Sequence, residues 1–110
     1  MNRQQEVNCV RVRLKPGMLA QVREWAAFLA AHRQEALQTL EAEGVEIESV
    51  LLESGVAGDA LIYYMRAGSQ RDAERVAARS LTAIDAYHRR FKQDTWAQVE
   101  PLELLLDLRR

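Results

Sequence analysis

The stretches VEIESVLLE (45–53), SGVAGD (54–59) and ALIYYMR (60–66) decide the fold of this chain. The first and third stretches are rich in β-branched and aromatic side chains, which favour strands. The stretch between them contains two glycines, which are typical of a turn. Because the connection is short, the sequence predicts two antiparallel strands in a hairpin somewhat longer than the tightest type.

The sequence before this hairpin predicts one strand and one long helix. In VNCVRVRL (7–14), hydrophobic and polar side chains alternate with a period of two, which indicates a strand. Between residues 18 and 43, hydrophobic side chains recur every three, four or seven positions and so form one stripe along a helix of about seven turns. Gly44 follows where a left-handed residue commonly caps a helix.

The sequence after the hairpin predicts two helical segments and a last strand. Two pairs of residues match the capping pattern that opens a helix: Ser69 with Asp72, and Thr82 with Asp85. We therefore expect helices over 69–80 and 82–98. Pro101 would end the second helix and start a strand in LELLLDL (102–108), where leucines alternate onto one face.

These elements follow the order strand, helix, strand, strand, helix, strand, with the two later helical segments taken together. This order is the split βαβ arrangement. It predicts an α+β, ferredoxin-like fold: a four-stranded antiparallel sheet with the helices on one face. A chain of 110 residues has room for a single domain, 1–110, with its core over about 7–108.

The composition excludes several classes of protein. The 15 basic and 16 acidic residues give a net charge of -1, without the basic excess expected of a nucleic-acid binder. We also expect no membrane partner, because no apolar run approaches the ~20 residues of a membrane span. Cys9 is the only cysteine, which excludes an intrachain disulfide and favours a reducing, cytoplasmic location. The first residues lack the pattern of a signal peptide.

The sheet face away from the helices is predicted to be neither polar nor apolar. Alternation assigns to it Arg11, Arg13, Glu46, Glu48, Val50, Leu52, Leu105, Asp107 and one of two adjacent tyrosines. A large apolar side chain left in water forfeits roughly 1.5–3 kcal/mol, so a patch of this kind usually marks a contact. We expect a homodimer in which two copies pack sheet to sheet. The alternative is a monomer with a half-solvated sheet.

Two polar residues interrupt the hydrophobic stripes and are candidate site residues. Arg33 lies on the stripe of the long helix, either as an anion anchor or as a guanidinium that reaches an internal acid. His88 lies on the stripe of the last helix, one turn after Asp85. Asp85 would orient this imidazole as a general base, unless His88 is simply a buried core histidine. Since the helices face one sheet, we expect Arg33 and His88 to flank one pocket.

Three further residues complete the candidate set. Tyr63 and Tyr64 are adjacent in a strand, so one faces the helices, where its hydroxyl would line the same pocket or only pack. Glu48 would contact a ligand or pair with an arginine of the first strand. Two histidines without a carboxylate cluster do not predict a metal site.

The phrases VRVRLKPG, EGVEIESVLLE, LIYYM and IDAYHRRF resemble an uncharacterised bacterial family, a domain of unknown function, within the dimeric α/β barrel superfamily. The resemblance runs from about Val7 to Leu108. It implies ferredoxin-like domains whose sheets pack into a barrel across a two-fold axis. It also implies a small-molecule pocket between helices and sheet, lined by Arg33, His88 and a tyrosine of the third strand. Haem-binding members place a histidine on a helix, as His88 would be, but no other haem signature is present and we expect no cofactor.

The leading prediction is therefore a small cytoplasmic homodimer that binds an acidic or aromatic organic molecule. Arg33 would anchor an anion, His88 with Asp85 would supply acid or base chemistry, and Tyr63 or Tyr64 would form a polar wall. Whether the protein is an enzyme stays open. One alternative is a monooxygenase-like or haem-linked enzyme of the same superfamily. Another is a structural or protein-interaction dimer with no small-molecule site.

Overall fold

The computed structural model describes residues 5–110, which form four strands and four helices. The strands are β1 (Glu6–Leu14), β2 (Val45–Gly55), β3 (Gly58–Ala67) and β4 (Trp96–Pro101). The helices are α1 (Leu19–Ala31), α2 (Arg33–Glu43), α3 (Gln70–Arg79) and α4 (Ala83–Thr95). Neighbouring strands are antiparallel in the order β2-β3-β1-β4. This is the ferredoxin-like topology, so the predicted α+β fold is confirmed. Within these residues, no helix has the length and apolar character needed to cross a membrane.

The core lies between the helices and one face of the sheet. Val12 of β1 and Leu61 of β3 lie opposite each other and are almost completely buried. They pack with Trp25 of α1 and Phe91 of α4. A second cluster brings Ala73 of α3 against the same sheet. The sheet face that these residues cover is also the face on which the candidate site is built.

Capping residues set three helix boundaries at the predicted places. The Ser69 hydroxyl accepts a hydrogen bond from the Asp72 backbone N–H (3.1 Å) at the start of α3. The Thr82 hydroxyl does the same for the Asp85 backbone N–H (3.3 Å) at the start of α4. Gly44 ends α2 with a φ of +73°, which a glycine adopts without steric cost.

The predicted long helix is two helices, because it is interrupted at His32. The His32 backbone has non-helical angles (φ −112°, ψ 41°). Its ring Nδ1 donates to the Phe28 carbonyl oxygen at 2.8 Å, and the two rings stack at 4.1 Å. The His32 backbone N–H also donates to the Phe28 carbonyl oxygen at 3.0 Å, so the ring and the backbone of His32 together cap the end of α1. Because neither glycine nor proline marks the break, the periodic pattern hid it.

A bulge at Glu46 makes part of the predicted face assignment wrong. The bulge shifts the pairing of β2 with β3 by one residue. Since side chains alternate, a one-residue slip moves every later side chain of the strand to the other face. The residues turned toward the helices by this slip are Glu48, Val50 and Leu52, which pair with Met65, Tyr63 and Leu61.

The hairpin between β2 and β3 is tighter than predicted. Gly55 pairs with Gly58, so only Val56 and Ala57 connect the strands. Gly58 has a φ of +121°, a conformation that strongly favours glycine. Both strands therefore extend as far as the two glycines, and the connection between them contains only two residues.

The predicted strand over 102–108 is wrong. β4 occupies Trp96–Pro101 and pairs with β1, so Pro101 ends a strand and α4 stops before residue 98. Because β4 already fills the edge beside β1, the alternating leucines have no strand to pair with. Residues 102–110 instead follow the sheet through a backbone hydrogen bond from Leu102 to Cys9 (3.0 Å).

Candidate functional site

A cavity of about 640 Å³ lies between the helices and the sheet. This volume falls in the range of roughly 300–1,000 Å³ that is typical of small-molecule sites. The residues that give its lining chemical character are Glu43, Glu48, Tyr63, Asp85, His88, Lys92, Trp25 and Trp96. The bulge in β2 is what brings Glu48 to this face. The cavity is the candidate functional site.

His88 is oriented by Trp25. The Trp25 indole Nε1 donates a hydrogen bond to His88 Nδ1 at 3.1 Å, and the two rings stack at 5.6 Å. An indole N–H can only donate, so Nδ1 of His88 is the acceptor. In the neutral imidazole, the proton therefore lies on Nε2.

The charge state of His88 follows from its surroundings. The pKa of His88 is lowered to about 4, mainly by burial and also by the Lys92 ammonium, while Asp85 opposes the shift. His88 is therefore neutral near pH 7 and offers an N–H donor at Nε2. Sequence reasoning assigned the orienting role to Asp85, whereas the hydrogen bond to the imidazole comes from Trp25.

Four carboxyl groups from different elements line the cavity: Glu43 of α2, Glu48 of β2, Glu74 of α3 and Asp85 of α4. Burial raises the pKa of Glu43 to about 7, and repulsion from Asp85 and Glu48 adds to the shift, while Lys92 opposes it. Burial also raises the pKa of Glu48. A carboxyl group with a pKa near the working pH can both give and take a proton, as a general acid or base requires.

Tyr63 is the tyrosine that faces the helices, and it is 7% exposed. Its hydroxyl and the Trp96 Nε1 are both buried, and neither has a hydrogen-bond partner within residues 5–110. Burial and the nearby Glu48 raise the pKa of Tyr63, so the phenol keeps its proton, although the neighbouring Trp96 indole opposes the shift. A buried polar group without a partner costs about 1–3 kcal/mol. Both polar atoms have almost no accessible surface, so Tyr63 and Trp96 line the cavity with the rest of their side chains.

The two cationic side chains in the lining are engaged elsewhere. Lys92 Nζ lies 5.0 Å from the centre of the Trp96 ring in a cation–π contact. Arg89 donates to the carbonyl oxygens of Ala77 (3.0 Å) and Ser80 (3.1 Å), which fixes the α3–α4 connection. Neither guanidinium nor ammonium group is thus arranged as an open anion anchor.

Two candidates from the sequence lie outside the cavity. Arg33 is exposed at the first position of α2 and does not line the cavity, because the break at His32 ends the stripe that linked it to α1. The expected pairing of Arg33 with His88 is therefore wrong. Tyr64 lies on the open face, where its hydroxyl accepts a hydrogen bond from Arg66 Nε at 3.1 Å.

Sequence reasoning missed Glu43, Lys92 and the hydrogen-bonding role of Trp25. Glu43 resembled one more charged residue on a solvated helix flank, although its place just before Gly44 puts it beside the start of β2. Trp25 belongs to the regularly spaced hydrophobic side chains of residues 18–43, a pattern that indicates core packing and gives no sign of its hydrogen bond to His88. Within the described residues, no group of three or more histidine, cysteine, aspartate and glutamate side chains could hold a metal ion.

Comparisons with known proteins give a family and a fold. A family model described as a family of unknown function (DUF6176) matches residues 5–110. No curated protein matches the chain significantly. The match confirms the resemblance to an uncharacterised family.

Three solved structures share the fold. An L-rhamnose mutarotase from Formosa agariphila is 17% identical with a TM-score of 0.65, and the match covers 94% of this chain and 99% of that chain. A candidate antibiotic biosynthesis monooxygenase from Nitrosomonas europaea is 17% identical with a TM-score of 0.56, and the match covers 93% of this chain and 89% of that chain. The protein PA3566 from Pseudomonas aeruginosa is 13% identical with a TM-score of 0.58, and the match covers 96% of this chain and 100% of that chain. At these identities the likeness shows the fold alone. It agrees with the predicted ferredoxin-like α+β fold.

Proposed function

The chain belongs to the DUF6176 family of unknown function, and we propose that its cavity binds a small, oxygen-rich organic molecule and moves a proton on it. The interconversion of sugar anomers is the reaction that we favour. The observation that carries this proposal is the meeting of Glu43, His88 and Tyr63 in one cavity beside aromatic side chains. The fold likeness to an L-rhamnose mutarotase supports the same class of reaction.

The reaction needs two proton movements. A base takes the proton from the anomeric hydroxyl while the bond between the anomeric carbon and the ring oxygen breaks, and an acid gives a proton to the ring oxygen. Glu43, whose pKa of about 7 allows it to take up a proton near neutral pH, is suited to the first step, and Glu48, whose pKa burial raises, is the candidate acid for the second. Ring closure on the other face of the resulting carbonyl returns both protons and gives the other anomer.

A neutral donor would stabilise the ring oxygen, which gains negative charge as its bond to the anomeric carbon breaks. His88 offers Nε2–H for this role. A donor fixed in a buried site stabilises such charge more than water does, because it needs no reorganisation during the reaction. His88 therefore acts in this proposal as a hydrogen-bond donor and not as the base.

The cavity favours an uncharged ligand over the acidic one suggested by the sequence. Arg33 lies outside the cavity, and Arg89 and Lys92 in its lining are held by other contacts, so neither offers an open anion anchor. An aromatic ligand stays compatible with the walls that Trp25 and Trp96 supply. The monooxygenase-like, haem-linked and purely structural alternatives stay predictions.

Exchange NMR spectroscopy of the anomeric protons tests this function. A panel of aldoses, including L-rhamnose, is mixed with the wild type, with Glu43→Gln or with His88→Gln. We expect faster anomer exchange of at least one sugar with the wild type, and loss of at least tenfold in both variants. Glu41→Gln is the matched control, because Glu41 is exposed on the same helix, and it should keep full activity. No acceleration for any sugar, or full acceleration by Glu43→Gln, would contradict the proposal.

We also propose that two copies pair through the open sheet face and residues 102–110. The chain exposes 8220 Å², whereas a compact monomer of 12.6 kDa is expected to expose about 6200 Å². The excess of about 2000 Å² per chain is in the range of a stable homodimer interface. The side chains exposed on this part of the molecule include Ile47, Leu51, Leu104, Leu105, Leu106 and Leu108.

Ion pairs hold this surface in a defined shape. Arg66 and Asp107 form two hydrogen bonds (2.6 and 3.2 Å), which fix residues 102–110 to β3. Arg11 pairs with Glu53 at 3.0 Å on the same face. A preformed surface lowers the ordering cost of association.

Sedimentation equilibrium measures the association. We expect about twice 12.6 kDa for the wild type and a monomer for Leu105→Lys. Leu81→Lys is the matched control, since Leu81 is also a highly exposed leucine but lies between α3 and α4. A monomeric wild type, or dimers that dissociate equally in both variants, would overturn the pairing.

A further inference from the structure

Helix α3 forms one wall of the cavity and borders its mouth. The α3 residues that line the cavity are Gln70, Ala73, Glu74, Ala77 and Ala78. Glu74 and Ala78 are also exposed to solvent, so the cavity opens beside this helix. A ligand that enters on this side therefore passes α3.

The side chains of α3 add little to the core. Ala73 is the buried residue of this helix, whereas α1 and α4 insert Trp25 and Phe91. Burial stabilises a helix in proportion to the apolar area that it removes from water. An alanine therefore holds α3 to the sheet less firmly than the two large aromatic side chains hold α1 and α4.

The C-terminal half of α3 lies between two spaces. Ala77 and Ala78 line the cavity. Val76 and Ser80 line a second pocket of about 180 Å³, which lies between α2, α3 and the start of α4. Because a side chain beside an empty space has no partner atoms there, this half of α3 gains little from dispersion contacts.

The N-terminal end of α3, in contrast, is anchored to the sheet. The Gln70 backbone N–H donates to the Glu6 carboxylate at 2.6 Å, and the Gln70 side chain donates to the Glu6 carbonyl oxygen at 3.1 Å. Ala73 lies in one buried cluster with Val45 and Ala67 of the sheet. These contacts hold the start of α3 in place when the rest of the helix moves, so this end is suited to act as a hinge.

The C-terminal end of α3 is held by one guanidinium group. Arg89 of α4 donates to the carbonyl oxygens of Ala77 and Ser80, at the end of a helix where carbonyl groups lack helical partners. Within residues 5–110, the other side-chain hydrogen bonds of this end join Ser80 to Thr82 and stay inside the connection to α4. Arg89 also lines the cavity, so the contact that fixes α3 lies next to the space for a ligand.

We propose that α3 is a lid of the cavity, hinged at Gln70 and latched by Arg89. When Arg89 releases the two carbonyl groups, the C-terminal half of α3 leaves the wall and a ligand enters. When the latch closes again, the ligand is shielded from water, which protects a proton transfer in the cavity from solvent. The inference rests on the proposed function only in taking this cavity as the binding site.

Hydrogen exchange of the backbone amides, followed by NMR in the free protein, tests the lid. A helix of ten residues is marginal in water by itself, so α3 loses its hydrogen bonds when it leaves the wall. We expect the amides of residues 75–79 to share one opening free energy and to exchange at least about tenfold faster than those in the middle of α1 and α4. An opening free energy equal to that of α1 and α4 would overturn the lid. Protection that only falls residue by residue toward the end of α3 would indicate fraying and would also contradict the lid.

Two variants test the latch. Arg89→Ala removes two charge-assisted hydrogen bonds, so it should speed the exchange of residues 75–79 by a further factor of about ten or more, while α1 keeps its protection. Arg90→Ala is the matched control, because Arg90 is exposed on the same helix, and it should leave the exchange of α3 unchanged. Equal acceleration in α1 and α3 by Arg89→Ala would show that Arg89 stabilises the whole fold, and the latch would then be wrong.

The wild-type exchange decides the lid even if Arg89→Ala does not fold. The measurement needs no ligand, so its outcome is independent of the test of the proposed function. If α3 opens as a unit but no sugar exchanges its anomers faster, the proposed function fails and the lid stands. If anomers exchange faster but α3 is as protected as α1 and α4, the lid alone fails.

Discussion

Replacing Trp25 by phenylalanine removes the donor that fixes His88 and leaves most of the aromatic packing in place. The Trp25 ring stacks on Phe91 at 4.5 Å with an interplanar angle of 5°, and a phenylalanine keeps that contact. The lost group is the indole N–H that binds His88 Nδ1 at 3.1 Å. Because this hydrogen bond stabilises the neutral imidazole, Trp25→Phe should raise the pKa of His88.

The size of the change follows from the strength of one hydrogen bond. A neutral hydrogen bond contributes about 0.5–1.5 kcal/mol, and one pKa unit corresponds to about 1.4 kcal/mol. The pKa of His88 should therefore rise from about 4 by roughly half a unit to one unit. It should stay below the ordinary value of 6.5, because burial, the larger cause, is unchanged.

The same shift predicts a pH dependence of stability. The folded protein binds a proton on His88 less readily than the unfolded chain, whose histidine has the ordinary pKa. His88 therefore contributes stability that is present above pH 6.5 and is lost as the pH falls from 6.5 toward 4. In Trp25→Phe this loss should be smaller.

NMR of the imidazole nitrogens measures the pKa and the tautomer of His88. The signals are simple to assign, because the chain contains only two histidines. We expect wild-type His88 to carry its proton on Nε2 and to resist protonation down to about pH 4. In Trp25→Phe, the pKa should rise and the second tautomer should appear, while His32 serves as the internal control. A wild-type His88 that titrates near 6.5 or carries its proton on Nδ1 would refute the reasoning.

Three further perturbations test the site and the fold. Glu43→Gln should become more stable to heat than the wild type as the pH rises from 4.5 to 7. The wild type loses stability over this range, because the folded protein favours the protonated Glu43 carboxyl. A melting-temperature difference between variant and wild type that is equal at pH 4 and pH 8 would contradict this. Leu61→Ala should lower the free energy of unfolding in urea by about 2–5 kcal/mol, since Leu61 is fully buried. Gly44→Ala should cost about 1 kcal/mol in the same assay, because its φ is +73°; an unchanged midpoint would argue against the left-handed cap.

Much of the fold could be predicted because local patterns and packing agree. The alternation in β1 and the capping residues Ser69 and Thr82 predict their elements from local sequence alone. The strand order then follows, because few topologies are possible for this order of elements. The last strand was misplaced because the leucines of 102–108 alternate more clearly than WAQVEP, which has the edge position beside β1. Alternation alone does not predict which of the two segments pairs with β1 at the edge of the sheet.

The candidate site was harder to predict because it depends on which face of a strand or helix each side chain occupies. In VEIESVLLE, hydrophobic side chains stand at both odd and even positions, so the alternation does not reveal the bulge at Glu46. Glu48 was therefore placed on the wrong face of the sheet. The break at His32 likewise changed the direction in which Arg33 points. Tyr63 and His88 were found because each lies on a stripe that the structure preserves.

NMR titration of the indole N–H signals tests the cavity as the binding site most directly. The chain has two tryptophans, and both line the cavity. Adding the sugar that shows anomer exchange should shift the Trp25 and Trp96 indole signals and the His88 ring signals, while the ring signals of His32 stay in place. Saturable binding that leaves both indole signals and His88 unchanged would contradict the assignment of the site to this cavity.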